Sequence, residues 1–322
     1  RLFPPPESPS TEPDSKNSSA MTESPFSSPL VKTVVIVGVG MIGGSLAAAL
    51  KSRNVAERVI GVGRDPRRIE SAREAGLIDE AVTDIRQVIS CSDLVVFCTP
   101  VENLAADVQA AVADLCQTVA DPGSCNSPKL PLMTDVGSVK GSICSQLTAI
   151  PQFIGSHPIA GSHRQGFEAA NPNLFEDRLC ILTPLPGSTA DSVRRLEQFW
   201  QAIGMKTLQM SPEAHDEALA MTSHLPHVVA SALAMTLSPE NRHLTGSGFR
   251  DTTRIAAGDP DLWAGILLNN SQYVMRGIDD VIHRLSQVRE ALARNDVSEV
   301  RHQLAVGQES RKSLDGTKNS TT

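Results

Sequence analysis

No two cysteines of this chain stand in CxxC spacing, although Cys91, Cys98, Cys116, Cys125, Cys144 and Cys180 are all present. Their scatter excludes a zinc ribbon or a disulfide framework and reads them as reduced thiols of a cytoplasmic protein. No stretch approaches the roughly 20 uninterrupted apolar residues of a bilayer-crossing helix, so no membrane partner is expected. Positive charge is in deficit: 29 Lys+Arg face 36 Asp+Glu, a net charge of -7 over 322 residues. With no long Lys/Arg run to neutralise phosphates, nucleic acid is not an expected partner either. A small anion is a different matter, since one local Arg holds a carboxylate whatever the net charge.

Large apolar side chains are sparse in residues 1–30, where Pro4, Pro5, Pro6, Ser18 and Ser19 set the character. Such a segment cannot bury enough surface to offset its ordering entropy and is expected to be a disordered tail. It also lacks the Arg-rich, acid-poor composition of a transit peptide, carrying Glu7, Glu12, Asp14 and Glu23 against Arg1 and Lys16. The chain opens on Arg1, and either Met21 is the natural start or the sequence is truncated upstream.

From Val31 onward, β-branched runs alternate with helical stretches. Strands are expected at Thr33 to Val37, Arg58 to Val62, Leu94 to Cys98, Leu132 to Val136, Phe153 to Ser156, Leu179 to Thr183 and Lys206 to Met210. Helices are expected at Gly44 to Ser52 and Ile69 to Ala75, with an exposed loop over Asp121 to Pro131. The alternation implies an α/β domain, a doubly wound parallel sheet of the Rossmann type covered on both faces, over residues 31–211. After Ser211 no strand-like run remains. Ala214 to Met235, Asp261 to Ala293 and Val297 to Ser313 carry apolar residues at helical spacing, so residues 212–315 form an all-helical domain, and 316–322 a disordered end. Long Ala/Leu-rich helices of this kind pack against a second copy, making a homodimer the expectation and a monomeric bundle the alternative.

Gly38, Gly40 and Gly43 form GxGxxG between the first strand and a helix that opens near Met41 and Ile42. The first glycine makes the tight turn, the second admits a pyrophosphate to the backbone amides, and the third lets helix and strand pack closely. A dinucleotide is therefore the expected cofactor. At the end of the second strand, where an acid would accept from a ribose 2'-hydroxyl, stand Gly63 and Arg64; an Arg pairs with a 2'-phosphate, which favours NADP. NAD is the alternative, with Asp65 reaching the ribose. Thr99 and Pro100 close the Leu94 to Cys98 strand on the edge where ligands sit in such sheets.

Three further clusters carry chemistry. Asp135 to Lys140 runs from a strand end into a helix start, where Ser138 either caps the helix or turns its hydroxyl towards the nicotinamide. His157 ends the next strand, a fitting place for a general base of near-neutral pKa. Ser223 to His227 and Gly248 to Arg254 follow. His224 and His227, with His215 and Asp216 near them, have donor atoms for a metal but no third carboxylate ligand, and hydride transfer needs no metal, so none is expected. Arg254, in a Gly/Thr-rich stretch between helices, is well placed to clamp a carboxylate.

Taken together, Gly38 to Gly43, DVGSVK (Asp135 to Lys140), HPIAGS (His157 to Ser162), NLF (Asn173 to Phe175), LTP (Leu182 to Pro184), SHLPH (Ser223 to His227) and TRIA (Thr253 to Ala256) resemble the prephenate/arogenate dehydrogenase family of tyrosine biosynthesis, over residues 31–313. The resemblance implies a dinucleotide-binding domain, a helical dimerisation domain and an active site in the cleft between them. It implies that His157 accepts the ring hydroxyl proton, that Ser138 hydrogen-bonds both this hydroxyl and His157, that His227 with His224 lines the substrate pocket, and that Arg254 holds the ring carboxylate. Prephenate is the expected substrate and arogenate the alternative. Where many members have an acid after HPxAGS, this chain has His163, which bears on how the substrate's side-chain end is read. No regulatory βαββαβ module follows the last helix, so feedback inhibition through one is not expected, while inhibition by tyrosine at the active site stays open. A β-hydroxyacid-type dehydrogenase is a poorer match, because Ala214 to Met235 contains no catalytic Lys. A non-enzymatic NADP sensor would leave the His and Arg constellation without a purpose.

Overall fold

The computed structural model describes residues 28–118, 130–161 and 164–316. Its described elements run β1 (Val31–Val37), α1 (Met41–Ser52), β2 (Ala56–Val62), α2 (Pro66–Glu74), β3 (Glu80–Val82), β4 (Leu94–Phe97), α3 (Val101–Thr118), β5 (Leu132–Asp135), α4 (Gly141–Gln146), β6 (Phe153–Pro158), β7 (Leu179–Pro184), α5 (Ala190–Ala202), β8 (Lys206–Gln209), α6 (Pro212–Leu219), α7 (Leu225–Met235), α8 (Ser247–Thr253), α9 (Pro260–Asn269), α10 (Ser271–Ala293) and α11 (Val297–Gly316).

The eight strands form one sheet in the order β3-β2-β1-β4-β5-β6-β7-β8. Alternation along each strand sends side chains to opposite faces. Val34 and Ile36 of β1 and Val96 of β4 therefore join Leu46, Leu50 and Trp200 in one core layer. Val35, Val95 and Phe97 join Leu104 and Phe153 in the other. A stretch of strand buried on both faces must be apolar throughout, which is why Val34 to Val37 reads as a continuous run, while Lys32 near the start of β1 is exposed.

Two features differ from the sequence reading. β3 is an added edge strand of three residues, paired through Gly61 and Ala81, too short to stand out as an apolar run. The sheet is also not wholly parallel: β6 pairs antiparallel with β7, Ser156 opposite Leu182 and His157 opposite Ile181. A crossover helix is what returns a chain in the same direction, and between Pro158 and Leu179 the described residues hold only the short 3-10 turn Phe167–Ala169. The chain comes straight back, and β8 then runs parallel to β7.

No strand follows Gln209 among the described residues. The Ala214 to Met235 helix is divided: a π-helical turn, Ala220–His224, separates α6 from α7. Asp261 to Ala293 is likewise two helices, broken at Asn270, whose side chain is drawn inward. The run Pro212–Met235 spans 24 residues and contains an 18-residue window with a mean hydropathy of 1.2, long and apolar enough to cross a bilayer. Its apolar residues are interrupted by His215, Asp216, His224 and His227, all buried, and the hydrogen bonds of the first three mark it as a helix of a folded interior. The Asp121 to Pro131 loop lies mostly outside the described residues, as do residues 1–27 and 317–322.

Candidate active site

Adjacent β1, β4, β5 and β6 run parallel, so their carboxyl ends share one edge, and the order reverses between β1 and β4 to open a crevice there. The glycine motif stands at this crevice. Gly38 has φ +92°, a left-handed conformation that disfavours a side chain, and its N–H donates to Val62 O at 2.9 Å. At Gly43 a Cβ would overlap the Gly38 carbonyl oxygen and press on Ile36, so only glycine lets α1 dock on β1. Gly40 precedes α1 with no side-chain cap, and a Cβ there meets nothing within 4 Å. The amides opening α1 at Met41 and Ile42 follow this open position at the positive end of the helix, a cradle fitted to a pyrophosphate.

Around this cradle, Arg64 lies exposed just past β2 and pairs with no acid among the described residues. Asp65 caps α2, accepting from the N–H of Arg67 at 2.9 Å and of Arg68 at 3.3 Å. Thr99 touches the Gly38 turn through its methyl side, while its hydroxyl donates to Asp107 at 2.6 Å; Pro100 is exposed beside it. Desolvation raises the ionisation of the Cys98 thiol, which disfavours the thiolate.

His157, at the end of β6, is 8% exposed. Its Nδ1 lies 2.8 Å from Nε2 of His215 on α6. His215 Nδ1 in turn lies 2.8 Å from Asp216 Oδ1. The Asp216 carboxylate also accepts from two backbone amides opening α4, Lys140 at 2.8 Å and Gly141 at 2.7 Å. Burial holds His157 well below the ordinary histidine value, and the neighbouring His215, Lys140 and His224 push the same way. Burial lowers His215 too, against the opposing pull of Asp216. Beneath this row Lys140, fully buried, forms an ion pair with Asp135, whose carboxylate also accepts from Gly137 N at 2.8 Å and Ser156 N at 3.0 Å. One buried carboxylate thereby fixes both the β5–α4 turn and the approach of β6.

Ser138 is half-buried in that turn, yet the expected bond to His157 is absent: His157 spends its Nδ1 on His215, and Ser138 Oγ has no hydrogen-bond partner among the described residues. Nor does Ser138 cap α4, whose cap position is Lys140.

Across the helical region, His227 stacks on Trp263 with ring centroids 3.6 Å apart, and His224 meets the same indole edge-on at 6.3 Å. His227 Nδ1 is buried without a hydrogen-bond partner. Asn270 donates to His224 Nδ1 at 3.0 Å and to the Asp216 carbonyl at 2.8 Å. Burial takes His224 down to about 4 and lowers His227 as well. Arg254 opens the 3-10 turn Arg254–Ala257 packed on α7, exposed and without an acidic partner among the described residues. The turn's end meets the His227 and Trp263 pair at Gly258, where a Cβ would lie 3.0 Å from His227 Cε1. His163 falls outside the described residues. Among them no group of three or more His, Cys, Asp or Glu is arranged to hold a metal.

Sequence reasoning did not find the part played by Asp216, Asn270 or Trp263. His215 and Asp216 drew notice only as metal donors; an adjacent His and Asp opening a helix was the available signal.

Comparison with known proteins bears on these residues. Residues 46–209 match the family model described as prephenate dehydrogenase, nucleotide-binding domain, and residues 211–306 the one described as prephenate dehydrogenase, dimerization domain. The chain is 31% identical over 274 residues to a prephenate dehydrogenase of Bacillus subtilis, covering 82% of this chain and 71% of the relative. It is 34% identical over 276 residues to a cyclohexadienyl dehydrogenase of Zymomonas mobilis, covering 82% and 90%. Among solved structures, the prephenate dehydrogenase of A. aeolicus in complex with hydroxyphenyl propionate and NAD+ superposes with a TM-score of 0.76 at 32% identity, covering 88% of this chain and 98% of that one.

Proposed function

This chain belongs to the prephenate dehydrogenase family, and from that premise we propose that it carries out the NAD(P)-dependent oxidative decarboxylation of prephenate to 4-hydroxyphenylpyruvate. In balance, the prephenate dianion and the oxidised dinucleotide give the 4-hydroxyphenylpyruvate anion, carbon dioxide and the reduced dinucleotide. The dinucleotide, when bound, supplies the hydride acceptor.

The chain's own groups do the rest. His157 takes the ring hydroxyl proton on the nitrogen that His215 leaves free, which pushes electron density into the carbon that releases hydride. Once the ring carboxylate leaves as carbon dioxide, the same proton returns to the ring oxygen. Ser138, its hydroxyl uncommitted to any described residue, hydrogen-bonds the substrate hydroxyl. Arg254 holds the ring carboxylate, and His227 with His224 lines the substrate pocket. The observation carrying this reading is the buried His157 at the carboxyl edge of β6, with β4 and β5 between it and the strand that bears the dinucleotide cradle.

NADP is the preferred cofactor in this proposal. Support comes from Arg64, free to meet a 2'-phosphate, and from Asp65, whose carboxylate is engaged at the start of α2. Association of two copies through the helical domain is also proposed. Supporting it, Ile282, Leu285, Leu292, Leu304 and Leu314 of α10 and α11 are more than half exposed, apolar side chains that a second copy would cover. A cytoplasmic location is part of the same reading, supported by Cys91, Cys98, Cys144 and Cys180 being unpaired.

The test is a two-by-two assay of purified protein, prephenate or arogenate against NAD or NADP, read by reduced nicotinamide absorbance. Turnover is expected with prephenate and highest with NADP. Turnover with arogenate alone would reassign the substrate, and none in any arm would overturn the reaction.

A further inference from the structure

We propose that His215 and Asp216 are positioning residues, holding His157 in the one tautomer able to act as a base, with its proton on Nδ1 and a lone pair on Nε2. The inference rests on His157 being the base of the reaction above.

The argument runs from the acceptor end. Asp216 is 3% exposed, and its carboxylate faces the N–H groups of Lys140 and Gly141, both of which can only donate. An ionised carboxylate so held has only acceptance to offer its third neighbour. His215 Nδ1, at 2.8 Å, must therefore carry the proton of that contact. A neutral His215 then has its lone pair on Nε2. The partner of that lone pair, 2.8 Å away, is His157 Nδ1, which must donate in its turn. What remains to His157 is an unprotonated Nε2. Each step follows from the one before, so a carboxylate on α6 dictates the protonation of a ring at the end of β6. The alternative, a doubly protonated His215 that donates from both nitrogens, would reverse His157 and remove the base. Burial works against it by disfavouring the charged ring.

Two further contacts fit a positioning role. The amides that orient Asp216 open α4, directly after the turn carrying Ser138, so one carboxylate ties that turn to the helical domain. Asn270 holds Asp216 from behind through its carbonyl.

The test uses the full chain labelled with 15N-histidine, with long-range 1H–15N correlation spectra at pH 7.5 assigned by His157→Asn and His215→Gln. Both rings are expected to be neutral with the proton on Nδ1. A His157 protonated on Nε2, or on both nitrogens, overturns the inference, and this reading needs no catalytic turnover. Kinetics supply the second arm. His215→Leu is expected to lower kcat on the order of 10²- to 10⁴-fold with KM within about threefold. His215→Gln, whose amide oxygen can replace the lost acceptor, is expected to recover at least about tenfold of that loss. A kcat within about threefold of wild type for His215→Leu, or no difference between the two variants, overturns the positioning role. If the wild-type chain turns over neither ring acid, the reaction assignment fails, while the spectra still decide the tautomer.

Discussion

His157 and His215 meet nitrogen to nitrogen at 2.8 Å, joining the end of a sheet strand to the first helix of the region beyond it. The contact is buried, and neither ring gains by taking a proton from solvent, because burial disfavours both charged forms. A base that stays neutral at physiological pH is ready to accept, and this property yields the first prediction.

The acid limb of kcat/KM should fall below pH 6.5. His157 is held well under the ordinary value, so protonation of the free enzyme at this site sets in only on the acid side of it. A profile from pH 5 to 9 checks this; an acid limb centred at or above 6.5 would remove His157 as the titrating group.

Stability should follow a related course. His224, at about 4, has a native value below its unfolded one, so above about pH 6.5 neither state is protonated and nothing is lost. As pH falls through 6.5 the unfolded chain takes a proton that the native state refuses, and stability declines until pH passes below 4. From pH 7 to pH 5 this one ring accounts for about 2 kcal/mol, with His157 and His215 acting in the same direction. Urea melts at the two values measure it; equal midpoints would contradict the burial of these rings.

Gly43→Ala should destabilise the protein by about 1–3 kcal/mol and abolish dinucleotide binding, because the added methyl meets the Gly38 carbonyl and forces α1 off β1. Thermal melting together with a dinucleotide fluorescence titration reads both effects. Wild-type affinity would show that the turn tolerates a side chain.

Arg64→Ala should raise the KM for NADP about tenfold or more while leaving NAD within about twofold. Equal losses for both cofactors would assign Arg64 to something other than the 2'-phosphate.

Arg254→Gln should raise the substrate KM about 10- to 100-fold with little change in kcat, since a charge-assisted clamp on a carboxylate acts on ground and transition states alike. Steady-state kinetics on prephenate separate the two constants.

Much of this was legible beforehand where the message is local. β1, the glycine turn and α1 announce themselves through an apolar run and three glycines, each with its own steric reason. His157 and Arg254 stand out because a strand-terminal His and an Arg among glycines and threonines have few structural purposes. The direction of β7 is not written in its own residues: LCILTP suits either sense, and only the want of a crossover helix among the described residues between Pro158 and Leu179 tells it. Asn270 breaks a helical period that the apolar residues continue unbroken, since its cause lies in His224 and Asp216, 46 and 54 residues away. Asp216 is hidden for the same reason, its amide partners at Lys140 and Gly141 being 76 and 75 residues back along the chain. Long-range polar contacts leave no periodicity to read.

The most direct measurement is single-turnover kinetics of His157→Asn at saturating substrate and cofactor, beside a binding titration of the same variant. Loss of the proton acceptor is predicted to slow the chemical step on the order of 10²- to 10⁴-fold while prephenate binds within about threefold of wild type. A chemical step within about threefold of wild type, at full occupancy, would contradict it.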